Sequence, residues 1–351
     1  MAFFYQRMET LYTNEKQGLV LAALVVLLLL TAAAAMVSGA YRISLFNVVQ
    51  VIWQHIDPFA DSGPVNRLHD TIVWKIRLTR VLMAACVGAG LSCAGAVFQG
   101  CFRNPLVDPY ILGVSSGAAF GAGLGIVFPA VFMSVQSFAF VFGVVAVLTT
   151  YLLARVGNEM PVVTLILAGV IIDSLFSALV GVLKYIASDS ALRTIVFWIM
   201  GGFYHSSWDD VHLTLPVILL SLIVVWSQAW KLNILSMGDE EARSMGVDPV
   251  RYKPALIVLA TLITAVSVAS VGVIAWVGLM MPHATRMLIG PDNRYLLPAA
   301  ALLGAAYMIL CDTLARTLTS AEIPVTIITS IVGAPYLFYL IKTRGKALLG
   351  A

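Results

Sequence analysis

Charge is scarce in this sequence. Only 11% of its 351 residues are Asp, Glu, Lys or Arg, whereas 60% are hydrophobic. A soluble domain carries roughly 25% charged residues, and no single soluble core hides so much apolar surface, so a water-soluble globular protein is excluded. The net charge of +3 is too small to suggest nucleic acid as a partner. Cysteine is also sparse. Cys86, Cys93 and Cys101 lie in or at the end of one apolar segment, Cys311 stands far away, and no ligand-spaced histidines accompany them. They read as small packing residues rather than a metal centre or a disulfide framework. A G-x-x-x-x-G-K-S/T phosphate loop is missing, so any nucleotide chemistry linked to this chain lies on a partner. The sequence also lacks a His and carboxylate cluster at metal-ligand spacing, which argues against an integral membrane enzyme.

What the chain has in abundance is apolar runs of membrane length, each of about 20 residues. Ten spans are expected, at about Gly18–Val37, Leu78–Phe98, Leu112–Phe128, Phe138–Leu153, Val162–Tyr185, Leu213–Trp230, Ala255–Val273, Ile274–Ile289, Leu297–Leu314 and Val325–Ile341. The expected fold is an all-α integral membrane protein forming one domain over residues 1–351. Several spans are short or rich in Gly and Pro, which suits irregular helices lining protein or a cavity. Between spans lie a polar stretch from Ser38 to about Lys75 (with His55, Asp57, Asp61, Arg67 and Asp70), an exposed stretch from Ala187 to Asp210, and a charged loop from Lys231 to Lys253.

An even number of spans puts both termini on one side. That side collects Arg7, Lys16, Arg103, Arg155, Lys231, Arg243, Arg251, Lys253, Arg294, Lys342, Arg344 and Lys346. The positive-inside rule makes it the cytoplasmic side. The opposite side also holds cations, among them Arg42, Arg67, Lys75, Arg77, Arg80, Lys184 and Arg193, so the bias is moderate. Spans in the middle and last parts of the chain would run in opposite senses, which is compatible with an inverted repeat of the kind many transporters use.

The most informative segment is Gly238-Asp239-Glu240-Glu241-Ala242-Arg243-Ser244-Met245-Gly246-Val247. It is a short, charged, helix-forming stretch between two spans, with acids ahead of Arg243 at helical spacing. It suits either a solvated loop or a handle for a partner that pushes on the membrane domain. Asn104-Pro105 breaks a helix, because proline lacks an N–H and restrains the residue before it to extended geometry. That places Asn104 and Leu106 at the cytoplasmic mouth, or marks an ordinary connection between helices; Val162 and Val163 are an apolar pair of the kind that closes a gate by dewetting. Pro282-His283 would kink the eighth span, with His283 a packed histidine rather than a ligand. Asp173 sits in the middle of the fifth span, either on a pathway or as a neutral, hydrogen-bonded acid.

The charged loop resembles the coupling loop of the iron-chelate and cobalamin importer permeases, the FecCD-type family of ATP-binding-cassette transporters, with its G-E-x-x-A-R-x-L-G-V pattern. Arg77-Leu78-Thr79-Arg80 looks like that family's R-L-P-R. Gln99-Gly100, Asn104-Pro105-Leu106-Val107-Asp108-Pro109 and Leu112 to Ala118 look like Q-x-x-x-x-N-P-L-A-x-P and L-G-x-x-x-G-A. Trp198 to Gly201, Val277 to His283 with Arg286, Asp312 with Arg316, Glu322-Ile323-Pro324 and Gly333-Ala334-Pro335 continue the series in order. Thr79, Val107 and Thr326 depart from it.

The resemblance implies the permease subunit of an ATP-driven importer, not an enzyme, working in a bacterial or archaeal inner membrane. It implies a homodimer, two cytoplasmic ATPase subunits carrying ATP and magnesium, a periplasmic or lipid-anchored binding protein, and a metal chelate (ferric siderophore, haem or cobalamin) as substrate. This chain itself would bind no cofactor, metal or nucleic acid. The resemblance also implies residue roles. Gly238, Asp239, Glu240, Glu241, Ala242, Arg243 and Gly246 would couple to the ATPase. Asn104, Leu106, Val162, Val163 and Thr164 would form the cytoplasmic gate, with Asp173 along the pathway. Arg77, Arg80 and Arg316 would dock the binding protein. The competing expectation is an ion-coupled secondary transporter, which needs a relay of intramembrane acids or histidines; Asp173 stands nearly alone at depth.

Overall fold

The computed structural model describes residues 2–57, 66–129, 133–155, 162–319 and 321–348. Asp61, in the first polar stretch, lies outside the described residues. Ordered secondary structure among them is helical throughout: α1 (Ala2–Val37), α2 (Leu45–Ile56), α3 (Arg67–Asp70), a π-helical turn (Thr71–Arg77), α4 (Leu78–Phe102), α5 (Val114–Val127), α6 (Val135–Ala154), α7 (Val162–Ile186), α8 (Asp189–Ile199), α9 (Trp208–Ser227), α10 (Ala229–Met237), α11 (Asp239–Ser244), α12 (Pro249–Val271), α13 (Val277–Ile289), α14 (Asn293–Thr317) and α15 (Val325–Leu348). Each expected span coincides with one of α1, α4, α5, α6, α7, α9, α12, α13, α14 and α15. Seven helical stretches among the described residues are long and apolar enough to cross a membrane; α5, α13 and the apolar part of α15 are shorter.

Helix α4 is the centre of the bundle, its most apolar stretch 83% buried, and it packs against α9, α12, α13 and α14. Lipid tails are as apolar as leucine, so helices in a membrane associate through close packing, and small residues allow it. Gly88 of α4 lies against Gly304 of α14, and a Cβ there would come 2.3 Å from the Gly304 carbonyl oxygen. Gly95 faces the backbone of Gly278 in α13 at a still closer approach. Gly117 and Gly121 of α5 meet the carbonyls of Phe142 and Phe138 in α6.

The prolines are absorbed without sharp breaks. Pro282 lies inside α13, which continues through it to Ile289. The carbonyl left without an N–H four residues earlier, on Gly278, is the one that faces Gly95. Pro298 in α14 frees the carbonyl of Arg294, and Trp226 Nε1 donates to it at 3.0 Å.

The two stretches read as polar connections fold back as helices. Helix α2, capped by Ser44, buries Val48 and Val51 and packs on α1. Helix α8, capped by Ser188, buries Ile195 against α5. Their short amphipathic patterns lay below the length of a span, and only tertiary packing stabilises helices of 11 or 12 residues. The sixth expected span, drawn to Trp230, instead stops at Ser227, and the chain turns at Gln228 into α10.

Candidate functional site

The short helix α11 is built to hold one face in and one face out. Gly238 precedes it at φ +155°, where a Cβ would strike the Glu241 carboxylate that folds back over it. Its end is a Schellman turn: Val247 N–H donates to Ala242 O at 2.8 Å and Gly246 N–H to Arg243 O at 3.0 Å, with Gly246 at φ +79°. Ala242 and Val247 are buried beneath that turn. Lys253 of α12 forms an ion pair with Asp239 and ties α11 to the bundle. Glu240, Glu241 and Arg243 are left exposed. The exposed charged face of α11 is thus held to α12 by the Lys253–Asp239 ion pair.

The helix break at Asn104 is present. Arg103 ends α4 in the left-handed conformation (φ +52°), Asn104 N–H returns to Gln99 O, and Asn104 Oδ1 accepts from Leu106 N–H at 2.9 Å. Behind it, Arg286 of α13 donates to Gln99 Oε1 at 3.2 and 3.3 Å, while Gln99 donates to Leu279 O. Two residues of separate sequence motifs thus lock α4 to α13. Leu106 lines a narrow cleft with Pro105, His283 and Tyr336. Val162 lines a different, larger cavity beside α11. Thr164 Oγ1 donates to Ala154 O and joins the start of α7 to the end of α6. Within one chain, then, the expected gate residues fall into two groups, with Leu106 and Val163 exposed.

Asp173 is half-exposed on α7, close to the backbone turn at Gly113. It makes no hydrogen bond or ion pair among the described residues.

The three arginines expected to meet a docking protein lie inside the fold. Arg77 is 3% exposed and Arg80 6% exposed. Arg80 Nη2 stands 2.7 Å from Asp312 Oδ1, and Nη1 donates to both oxygens of Glu322 at 2.8 and 2.9 Å. Arg316 Nε lies 3.7 Å from Asp312 Oδ2, and its Nη1 donates to Ser38 O at 2.7 Å and its Nη2 to Ala35 O. Arg77 Nη1 donates to Met36 O and Val37 O at 2.6 and 3.1 Å, and Nη2 to Tyr41 O. Arg77 and Arg316 therefore cap the orphan carbonyls at the end of α1, where cations are favoured by the helix dipole. Their charge is used internally because α1 ends in the protein rather than in water. Of this network, Glu322 is the group that reaches solvent, with its side chain 41% exposed.

An aromatic group beside this network escaped the sequence reading. The His55 ring stacks on Trp74 at 4.0 Å with Nε2 3.4 Å from Asp70, and Trp208 Nε1 donates to Trp74 O at 3.1 Å. Its members are spread over more than 150 positions, and no local pattern joins them. The four cysteines are buried thiols, and Cys93 Sγ donates to Leu297 O.

Membrane-length helices, a core helix packed through glycine, and an anchored charged helix define a polytopic α-helical membrane protein. The chain belongs to the FecCD transport family, whose model matches residues 24–343. It is 39% identical over 311 residues to the molybdate import system permease protein of Haemophilus influenzae, covering 88% of this chain and 91% of that one. It is 43% identical over 274 residues to the cobalamin import system permease protein of Halobacterium salinarum, covering 78% and 74%. A solved inward-facing transporter described as of the metal-chelate type superposes with a TM-score of 0.82 at 37% identity, over 92% of this chain and 98% of that one. The protein is thus a multi-pass permease subunit of an importer for metal chelates or related substrates. ATP hydrolysis lies on a separate subunit.

Proposed function

We propose that two copies of this chain enclose one pathway that carries an organic metal chelate (cobalamin, haem or a ferric siderophore) from the outer side into the cytoplasm. Both termini are cytoplasmic. Each α11 seats in one of two ATPase subunits, and a periplasmic or lipid-anchored binding protein delivers the substrate. The observation that carries this reading is Asp173. It is an acid in the middle of a membrane-length helix with no hydrogen-bond or ion-pair partner among the described residues, and intramembrane acids face a bundle interior or a watery pathway rather than lipid. The face of α7 around it, with Leu167, Val170, Ile171 and Leu175, is exposed and available to a second copy. In such a dimer Leu106 and Val163, exposed in the single chain, would meet their counterparts with Asn104, Val162 and Thr164 behind them and narrow the inner mouth. The cobalamin permease relative and the metal-chelate-type structure favour a chelate over an oxyanion, although the molybdate permease is comparably similar.

The test is uptake into vesicles containing the full transporter and its binding protein, with labelled cobalamin, haem, a ferric siderophore and molybdate supplied in turn. ATP-dependent uptake of one chelate, lost in the Glu240→Lys, Glu241→Lys double variant, is expected. Uptake of molybdate alone would overturn the substrate class. Unchanged uptake and unchanged ATPase co-purification in the double variant would overturn the coupling role.

A further inference from the structure

Beside α11 lies a cavity of about 560 Å³, within the roughly 300–1,000 Å³ of ordinary ligand pockets. Its wall is of two kinds. Phe102, Leu165 and Ile257 give an apolar floor, and Arg103, Arg155, Arg243 and Lys253 stand around it, with Asp239 and Glu240 the acids among the described lining residues. Asp239 is already engaged by Lys253. Arg103 and Arg243, by contrast, have no hydrogen-bond or carboxylate partner among the described residues. Arg103 holds the left-handed conformation that non-glycine residues rarely adopt, and its guanidinium is brought beside Gly238, at the start of α11.

Two unpaired guanidiniums over an apolar floor match one ligand chemistry, a phosphate attached to hydrocarbon. Guanidinium binds phosphate through paired N–H donors, and Phe102, Leu165 and Ile257 would offer nothing to a free inorganic anion. The neighbourhood supplies such a ligand. Leu152 and Leu153, at the end of the membrane-length helix α6 next to Arg155, are 71% and 56% exposed, so hydrocarbon chains border this end of the protein. Basic pockets between membrane helices are where anionic lipid headgroups bind. We infer that this cavity is a binding site for the headgroup of an anionic phospholipid, with the phosphate between Arg103 and Arg243 and the acyl chains running out along the exposed Leu152 and Leu153. Because Arg103 belongs to α4 and Arg243 to α11, an occupied site ties the coupling helix to the central helix, and bilayer charge bears on how firmly α11 is held.

The test measures binding of a short-chain phosphatidylglycerol to the purified full-length chain in neutral detergent, by native mass spectrometry and by tryptophan fluorescence. Phosphatidylcholine of the same chain length and glycerol 3-phosphate serve as comparison ligands. Phosphatidylglycerol is expected to bind about tenfold more tightly than phosphatidylcholine. That preference disappears in the Arg103→Gln, Arg243→Gln double variant and persists in Arg251→Gln, a surface cation outside the cavity. Equal affinity for the two lipids, or an unchanged preference in the double variant, overturns the site. Displacement of the lipid by equimolar glycerol 3-phosphate overturns the lipid and makes the ligand a soluble phosphate. Should the double variant fail to fold, Arg103→Gln alone must lower the preference, and an unchanged preference there counts against the site equally.

Discussion

Arg80 and Asp312, 232 positions apart in the sequence, meet in a buried ion pair at 2.7 Å. Breaking such a pair from one side leaves a buried charge uncompensated, which typically costs about 3–5 kcal/mol. Asp312→Ala is therefore expected to lower the melting temperature of the detergent-purified protein sharply. Glu322→Gln, at a side chain 41% exposed, is expected to change stability by no more than about 1 kcal/mol. Equal melting temperatures for the wild type and Asp312→Ala would show that the pair does not hold α4 to α14.

Gly88→Ala is expected to separate α4 from α14. The added Cβ would lie 2.3 Å from the Gly304 carbonyl oxygen and 2.7 Å from Met308 Cβ, so backbone must move. Overpacking of this kind costs about 1–3 kcal/mol. Gly181→Ala is the control, because nothing lies within 4 Å of its Cβ position. Replacing a helical glycine by alanine there is worth up to about 1 kcal/mol of added stability. Thermal unfolding of both variants decides the matter; similar shifts would remove the close-packing argument.

Asp173→Leu is expected to reduce uptake severalfold while the complex with the ATPase still purifies. A cysteine at this position should react with a small, membrane-impermeant thiol reagent in at least one nucleotide state. Protection in every state would make Asp173 a structural acid.

Asp292 caps α14 and ties it to α10. Its Oδ1 accepts from Arg294 N–H at 3.0 Å and from Asn233 Nδ2 at 2.7 Å, and Arg294 Nη2 sits 2.6 Å from Oδ2. Burial alone would raise its pKa, but the bonds from Arg294 and Asn233 outweigh burial and leave it below the ordinary 3.8. A depressed carboxyl stabilises the fold above its unfolded pKa, and that contribution fades as pH falls through the folded value. Asp292→Ala should cost about 1 kcal/mol at neutral pH. The difference between variant and wild type should shrink in melting curves taken progressively below pH 4; a constant difference would contradict the charged cap.

The reach of the sequence can be judged from particular residues. The charged stretch read as helix-forming does fold as α11, and it stops at Gly246 because a glycine after a short charged run takes the left-handed cap. Asn104-Pro105 announced the break after α4 for an equally local reason. Pro282 shows the limit of a local signal: α13 runs on through it to Ile289, and the carbonyl it frees on Gly278 faces Gly95 of another helix, which no neighbouring residue in the chain announces. Helices α2 and α8 were read as polar connections because their apolar faces are too short to register without the surfaces they cover.

By itself, the sequence determined the membrane class, the positions of the spans and the family, since hydrocarbon length and motif order are written along the chain. Tertiary structure alone decided how the charges are used. Arg77, Arg80 and Arg316 look alike in sequence to Arg103 and Arg243, as cations near helix ends. The first three are enclosed because the end of α1, Asp312 and Glu322 converge on them from distant parts of the chain. The last two form no hydrogen bond or ion pair among the described residues, although Asp239 and Glu240 line the same cavity. Whether a cation is satisfied depends on which groups arrive within a few ångströms of it, and that is fixed by helix packing rather than by neighbours in the chain.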